Sequence, residues 1–263
     1  MSEQLKVPTM AEFMAEGKQP DILFWVGSAG SYDDRAKKIT KAFVKILNKA
    51  QVNFAVLGTE ESSTGDVAKR AGNEFLFQMQ ALMNIELLNA YDVKRIVTCD
   101  PHSFNCLKNE YPNLGGHYDV IHHTQFLKEL IDSNKIEIKD SNYKGKRITF
   151  HDPCYLGRAN SEYDAPRDVL AVLNANMQEM KRSKATALCC GAGGAQMFKE
   201  PEKGNMDINE MRTQDALETN PDIIATGCPY CNTMMTDGVK FKEKEADVAV
   251  MDIAELIANA QDL

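Results

Sequence analysis

Several features are missing from this chain of 263 residues, and each absence removes a class of function. There is no excess of positive charge: 38 acidic residues against 30 basic ones leave a formal net charge of −8. No basic block with interleaved aromatics offsets that balance, so nucleic acid is not expected as a partner. No apolar run approaches the roughly 18 residues that a spanning helix needs, so no direct membrane span is expected. There is no Gly-x-Gly-x-x-Gly fingerprint for a dinucleotide and no ferredoxin-type run of four cysteines. The chain is therefore not expected to take electrons from NADH, or to carry an electron wire of its own. The opening Met1-Ser-Glu-Gln-Leu-Lys-Val-Pro8 lacks the charged-then-apolar layout of a signal peptide. The expected location is cytoplasmic, with any membrane association made through a partner.

What is present in abundance is clustered cysteine. Five of the seven cysteines read C-x34-CC-x37-C-x2-C: Cys154, Cys189, Cys190, Cys228 and Cys231. They lie in His151-Asp-Pro-Cys154, Cys189-Cys-Gly-Ala-Gly-Gly194 and Cys228-Pro-Tyr-Cys231, each beside Gly or Pro. Soft thiolates gathered in this way select zinc or iron–sulfur clusters over hard cations. An odd number of cysteines in a reducing compartment also reads better as ligands or redox thiols than as a disulfide framework.

The chain is long enough for two small domains or one large one. Short strand-like runs alternate with helical patterns: Asp21–Gly27, Phe54–Leu57, Arg95–Thr98 and Asp119–Ile121, then Arg147–Phe150, Thr186–Leu188, Asp222–Ala225 and Val248–Val250. Ile39, Phe43, Ile46 and Leu47 share one face of a helix from Asp33 to about Asn48. Asp66 is placed to cap a long helix running to Ala90, and a short helix covers His102 to Glu110. The predicted fold is α/β, with two pseudo-symmetric βα repeat units built on parallel sheets. An N-terminal extension covers residues 1–20, the first unit 21–140 and the second 147–263, joined by a polar stretch from Asp132 to Lys146.

The two units align motif by motif. Ser28 falls on Cys154, Ser62-Ser63 on Cys189-Cys190, and Asp100 and Ser103 on Cys228 and Cys231. Ser28 to Ser62 spans 34 residues against 35 from Cys154 to Cys189; Ser63 to Asp100 spans 37 against 38 from Cys190 to Cys228. An internal duplication in which one copy has lost its ligands accounts for the match. Each ligand group is expected directly after a strand, which gathers the metal site at the carboxyl ends of the second sheet. Cys-x-x-Cys at a helix start would place anionic sulfur against free N–H groups. Gly191, Gly193 and Gly194 would let the backbone approach a bulky ligand. Four readings of the thiols stand side by side: a thioredoxin-like dithiol, a structural zinc site, unliganded buried cysteines and an iron–sulfur cluster. The dithiol leaves Cys154 and the adjacent pair unexplained, and zinc needs only four ligands.

These segments resemble the cysteine-rich CCG-domain family, which includes the catalytic subunit of heterodisulfide reductase and iron–sulfur subunits of glycolate, lactate and anaerobic glycerol-3-phosphate oxidoreductases. The resemblance runs through His151-Asp-Pro-Cys-Tyr-Leu-Gly-Arg158 and the two later cysteine motifs. It continues in degraded form in Trp25-Val-Gly-Ser28, Ser63-Thr-Gly-Asp66, Asp100-Pro-His-Ser103 and Asn109-Glu-Tyr-Pro112. It implies that a complete motif binds a noncubane [4Fe-4S] cluster with bridging cysteine sulfur, or in other members zinc. With the first motif degenerate, one cluster is expected, bound by Cys154, Cys189, Cys190, Cys228 and Cys231. The implied function is that of an iron–sulfur subunit of an electron-transfer oxidoreductase complex, not active alone, serving thiol/disulfide or respiratory redox chemistry. Its partners would be other redox subunits, ferredoxin-like, flavin-containing or membrane-anchored. The competing class is a non-catalytic zinc-binding structural subunit.

Around these motifs several residues take provisional roles. The polar residues of the first unit either hydrogen-bond one another or form a pocket in which His102 supplies a proton. His151 either donates to a cluster sulfur or packs its loop. Arg158 and Arg167 offset cluster charge or pair with carboxylates. Of His122-His123, one is expected to be structural and one loop-facing, because neighbours on a strand point to opposite faces. Cys99 and Cys106 read as buried small hydrophobes, and Met79, Met83, Met234 and Met235 as core filling.

Overall fold

In a computed structural model describing residues 5–139, 141–200 and 203–263, the chain forms two four-stranded parallel sheets flanked by helices. Position 140, where the expected first unit ends, and residues 1–4 of the expected extension lie outside the described residues. The first unit runs α1 (Met10–Ala15), β1 (Ile22–Trp25), α2 (Gly27–Tyr32), α3 (Ala36–Lys49), β2 (Phe54–Ala55), α4 (Asp66–Arg70), α5 (Glu74–Ala90), β3 (Arg95–Thr98), α6 (Pro101–Asn105), β4 (Asp119–His122) and α7 (His123–Asp132). The second runs β5 (Arg147–Phe150), α8 (Asp164–Ala171), β6 (Asn176–Gln178), α9 (Ile208–Leu217), β7 (Ile223–Thr226), α10 (Pro229–Phe241), β8 (Ala249–Asp252) and α11 (Ile253–Asn259).

The strand orders are β2-β1-β3-β4 and β6-β5-β7-β8, the same topology twice, which bears out the two-unit α/β reading. Central strands buried on both faces need unbroken apolar runs, and Ile223 to Thr226 is buried throughout. In each sheet the order reverses between its two middle strands. Loops leaving β1 and β3, or β5 and β7, therefore diverge and open a crevice at the carboxyl edge.

Three local expectations give way. The sheet edge is the polar strand β6, which pairs with β5 through Arg147–Asn176 and Thr149–Gln178. Its alternating exposure and polar side chains give no apolar signal. Thr186 closes a 3₁₀ turn instead of a strand. The helix expected from Asp66 to Ala90 is broken at Gly72, whose φ of +85° ends α4, and Asn73 caps α5 by accepting from Leu76 N–H at 3.1 Å. Gly65, not Asp66, occupies the cap of α4. The helix from His102 starts one residue earlier, at Pro101, and continues as a π turn over Cys106–Glu110.

One apolar core joins the units. Ile39, Phe43, Ile46 and Leu47 of α3 are buried, as their spacing implied, in a cluster that also holds Ile148 and Phe150 of β5 and Ile253 and Ile257 of α11. Phe43 sits at its centre, edge-on to Phe24, His123 and Phe126 at centroid distances of 5.0, 5.9 and 6.4 Å. A second cluster holds Trp25, Phe77, Phe104 and Tyr111 together with Leu156, two residues past Cys154. The first unit thus anchors a cysteine loop of the second. Phe43→Ala should lower the unfolding free energy by about 3–5 kcal/mol. Urea denaturation followed by Trp25 fluorescence and by far-ultraviolet dichroism should give one coincident transition. Two separated transitions would show that the units do not share a core.

Candidate metal centre

Cys154 lies four residues past the end of β5, and Cys228 two past the end of β7, so the two flank the crevice of the second sheet. Cys228 caps α10: its Sγ accepts from Cys231 N–H at 3.5 Å, and Pro229 occupies the first helical turn, where a missing N–H is harmless. The pair Cys189-Cys190 does not follow directly on a strand, contrary to the sequence expectation. It arrives on the long loop after edge strand β6. Gly191 turns that loop with a φ of +94°, and its N–H donates to Cys189 Sγ at 3.3 Å.

The five thiols are brought together. All are free. Cys190 and Cys231 Sγ lie 3.3 Å apart, and Cys189 is in hydrogen-bond contact with Cys154 and Cys190. Cys190, Cys228 and Cys231 are buried, whereas Cys154 and Cys189 are half-buried on the open side. Contact with Cys154 and Cys190, and the Gly191 N–H, hold the Cys189 thiol far below the ordinary range. The same contacts raise its neighbours: Cys189 raises Cys154 and Cys190, and Cys190 with Cys228 raises Cys231, with burial adding to each. Protons crowd the group, and a bound cation would displace them.

His151 is fully buried beside these sulfurs. A ring nitrogen of His151 and the sulfurs of Cys190 and Cys231 lie within 4.8 Å of one another. Its Nδ1 accepts from Arg212 Nε at 2.9 Å, and its Nε2 has no partner among the described residues. Burial and then the Arg212 charge push it down to about 3, so the ring is neutral with its proton on Nε2. Arg212, on α9, is itself fully buried; Nη1 donates to the Arg182 carbonyl at 2.6 Å, and Nη2 has no partner among the described residues. Nothing in the sequence alone singles out Arg212. The one available signal is its place a turn before Asp215, which pairs with it, and Ala216, which shares its buried face.

The other candidates divide. Arg167 pairs with Asp152 at 2.8 and 3.0 Å and with Glu179 at 2.6 and 2.9 Å, which is the carboxylate role. Among the described residues Arg158 pairs with no carboxylate; it donates to the Ala187 carbonyl, steadying the loop that carries the pair. His122 and His123 are both buried, contrary to the expectation of one loop-facing ring. Because α7 starts at His123, the strand alternation stops between them. His122 Nδ1 meets Thr124 Oγ1 at 2.8 Å, the rings meet at 3.1 Å, and His123 Nε2 meets Asp252 Oδ1 at 3.0 Å. Cys99, Cys106 and Met235 are buried as expected, and Met234 packs against the cysteines. Met79 and Met83 are exposed on the outer face of α5, so they do not fill the core.

In the first unit the equivalent crevice holds both expected features. Ser103 Oγ donates to Asp100 at 2.8 Å, and Ser62 Oγ to Asn84 at 2.8 Å. Glu61, which no motif marks, accepts from Val26 and Gly27 N–H at 2.9 and 2.6 Å, and burial pushes it up to about 7. A cavity of about 270 Å³ remains, bordered by Ser28, Ser63, Asp100 and His102 and closed by Phe198 and Tyr230 of the second unit. A larger cleft of about 560 Å³ lies against the N-terminal segment at the other end of the sheet, with no cysteine or histidine in its walls. His102 Nδ1 meets Asp66 Oδ2 at 2.9 Å. Burial opposes its charge, but Asp66, Asp100 and the Cys228 thiol outweigh burial and push it up to about 9.

The family model of the cysteine-rich (CCG) domain matches this chain twice, over residues 22–108 and 148–236. A probable iron-sulfur-binding oxidoreductase, FadF, of Bacillus subtilis is 50% identical over 256 residues, covering 97% of this chain and 36% of that protein. The EtfAB:quinone oxidoreductase of Syntrophomonas wolfei is 44% identical, covering 94% of this chain and 35% of its own length. One polypeptide of the dihydromethanophenazine:CoB–CoM heterodisulfide reductase of Methanosarcina barkeri is 36% identical, covering 91% of this chain and 59% of that polypeptide. The chain thus spans only part of each.

The His102–Asp66 pair makes a signed prediction. With its folded value raised to about 9 from 6.5, the stabilisation is full below 6.5 and is lost as pH rises through 9. The loss should be on the order of 3 kcal/mol in urea unfolding between about pH 6 and pH 10, and Asp66→Asn should remove most of that slope. A slope unchanged in Asp66→Asn would show that other groups set it.

Proposed function

This chain belongs to the cysteine-rich CCG-domain family, and on that premise we propose that it is the iron–sulfur unit of an electron-transfer oxidoreductase. One [4Fe-4S] cluster, of the noncubane kind, is held by Cys154, Cys189, Cys190, Cys228 and Cys231. The observation that carries this reading is the meeting of all five thiols in one crevice, beside a buried N–H that no atom of the described residues accepts. Four thiolates would satisfy zinc or an ordinary cubane; a fifth in the same contact group suits bridging sulfur. The residues present fit such a group. His151 Nε2–H and Arg212 Nη2, orphaned in a dry interior, gain an acceptor in cluster sulfur.

When bound, the cluster supplies one-electron redox chemistry. The chain's own residues hold and shield it. Arg212 fixes the His151 tautomer through Nδ1, so that Nε2–H faces the sulfurs, and it adds a buried positive charge opposite the thiolates. The first turn of α10 turns free N–H groups toward Cys228. Burial keeps water from Cys190, Cys228 and Cys231, while the half-buried side at Cys154 and Cys189 is where a thiol, disulfide or redox partner could approach. Among the described residues no helix is long and apolar enough to cross a membrane. Electrons pass to and from other redox modules, ferredoxin-like, flavin-containing or membrane-anchored, with the unit working at the cytoplasmic side and not alone.

A second reading, structural zinc, is favoured by the meeting of His151, Cys190 and Cys231 within one coordination sphere. The two part on composition. Protein purified without oxygen should hold about four irons and about four acid-labile sulfides per chain. Cys189→Ser should lose most of both; one zinc and no iron would replace the redox reading with the scaffold. A further outcome concerns potential. His151→Leu removes the N–H donor and should move the cluster's midpoint to more negative values in a titration followed by electron paramagnetic resonance. An unchanged midpoint would leave His151 with loop packing only.

A further inference from the structure

Helix α3 carries five lysines, Lys37, Lys38, Lys41, Lys45 and Lys49, and no acidic residue, in a chain whose formal net charge is −8. Lys38, Lys41, Lys45 and Lys49 follow one another at steps of three, four and four residues. They therefore form one file about 16 Å long, on the face turned away from the buried Ile39, Phe43 and Leu47. Lys38, Lys41 and Lys49 are exposed, and Lys37 and Lys45 are half-buried. Lys37 pairs with Asp34 at 2.9 Å, and the other four form no ion pair among the described residues.

The arrangement works against the helix itself. Lys37 and Lys41, Lys41 and Lys45, and Lys45 and Lys49 are like charges one turn apart, which repel. Lys37 and Lys38 lie in the first turn, where the helix dipole disfavours a cation. Nor does the fold require the charge. The equivalent helix of the second unit, α8, also packs against α11, and its charged residues are Asp164, Arg167 and Asp168. A face kept for solubility alone would intersperse both signs. The stripe is matched to something outside the chain.

Its chemistry narrows the choice. No apolar side chain of α3 is exposed, so none would insert into a bilayer, and an anionic lipid plane repels the acidic remainder of the chain. All five cations are lysine, without the planar arginine fork that matches phosphate, so a nucleic-acid backbone is also a poor fit. A narrow file of point charges suits carboxylates spaced along one face of another protein.

We propose that the lysine face of α3 is a docking surface for an acidic helix of a protein partner, whose carboxylates, three and four residues apart, meet Lys38, Lys41, Lys45 and Lys49. The surface lies on the first unit and uses none of the five clustered cysteines, so it stands apart from the iron–sulfur reading.

The probe is a synthetic alanine-based helical peptide with four glutamates at steps of three, four and four residues and no basic residue. Titrated into the nitrogen-15-labelled full chain at low salt, it should move the backbone amide signals of Lys37 to Lys49 along one saturable curve. Raising the salt concentration should reverse the shift. The same peptide with its glutamates distributed around the helix should bind several-fold more weakly. Lys41→Glu/Lys45→Glu should lower the affinity about tenfold, whereas Lys240→Glu/Lys244→Glu, on the second unit, should leave it unchanged. Lys41→Glu alone turns two repulsive pairs into attractive ones, so it should fold and raise the melting temperature by about 2 °C. Shifts spread over the whole surface, equal binding of the rearranged peptide, or a lower melting temperature in Lys41→Glu would overturn the site. So would α3 signals that respond to vesicles of phosphatidylserine and phosphatidylcholine in equal parts and not to the peptide.

Discussion

The constraint from which the rest follows is strand order. A parallel sheet whose order reverses between its two central strands must send their following loops to opposite faces, and the gap between them is left open at the carboxyl edge. Cys154 and Cys228 sit on the two lips of that gap, and Ser28 and Asp100 sit on the matching lips of the other sheet. No residue needs to be strained to bring them there. The third cysteine group is different. It reaches the gap along a loop that starts at the edge strand β6, and that loop is tied down by Lys184 N–H on Asp152 at 2.8 Å and by Arg158 on the Ala187 carbonyl. Asp152, two residues before Cys154, is also gripped by Arg167, so one buried carboxylate locks two of the three cysteine loops to each other.

Electrostatics sets the character of the second crevice. Five sulfurs in contact cannot all be anionic in a dry interior, and contact with its neighbours selects Cys189 as the favoured thiolate. Against this group the protein sets a buried arginine and a neutral histidine whose protonated nitrogen lacks an acceptor among the described residues. The first crevice reverses the pattern: carboxylates take the place of thiols, and a histidine pushed up to about 9 takes the place of the cation. The same frame thus carries two opposite solutions to the problem of buried charge.

Much of this was legible in the sequence because it depends on period and spacing. The α3 stripe, the central strands and the three in-register motifs all announce themselves, since buried elements must be apolar and duplicated ones must repeat. What could not be read depends on tertiary neighbours. Strand β6 is Asn176-Met-Gln178, polar because an edge strand faces water, and so it carries no pattern. Met79 and Met83 have the spacing of a core face, but α5 is apolar on two sides and its inner side belongs to Phe77, Ala81 and Leu88. At His122-His123 the strand ends between the two rings, and no local signal marks that boundary. Arg212 looks like any surface arginine until the fold buries it against His151, and Glu61 like any loop carboxylate until β1 ends above it.

The first sheet also bears on how the second can be served. It holds its strand order, its crevice and its share of the common core with serine and aspartate where thiolates stand opposite, so this architecture does not draw its rigidity from metal. The second sheet repeats that frame, so its cysteines hang on a scaffold whose twin is built from protein contacts alone.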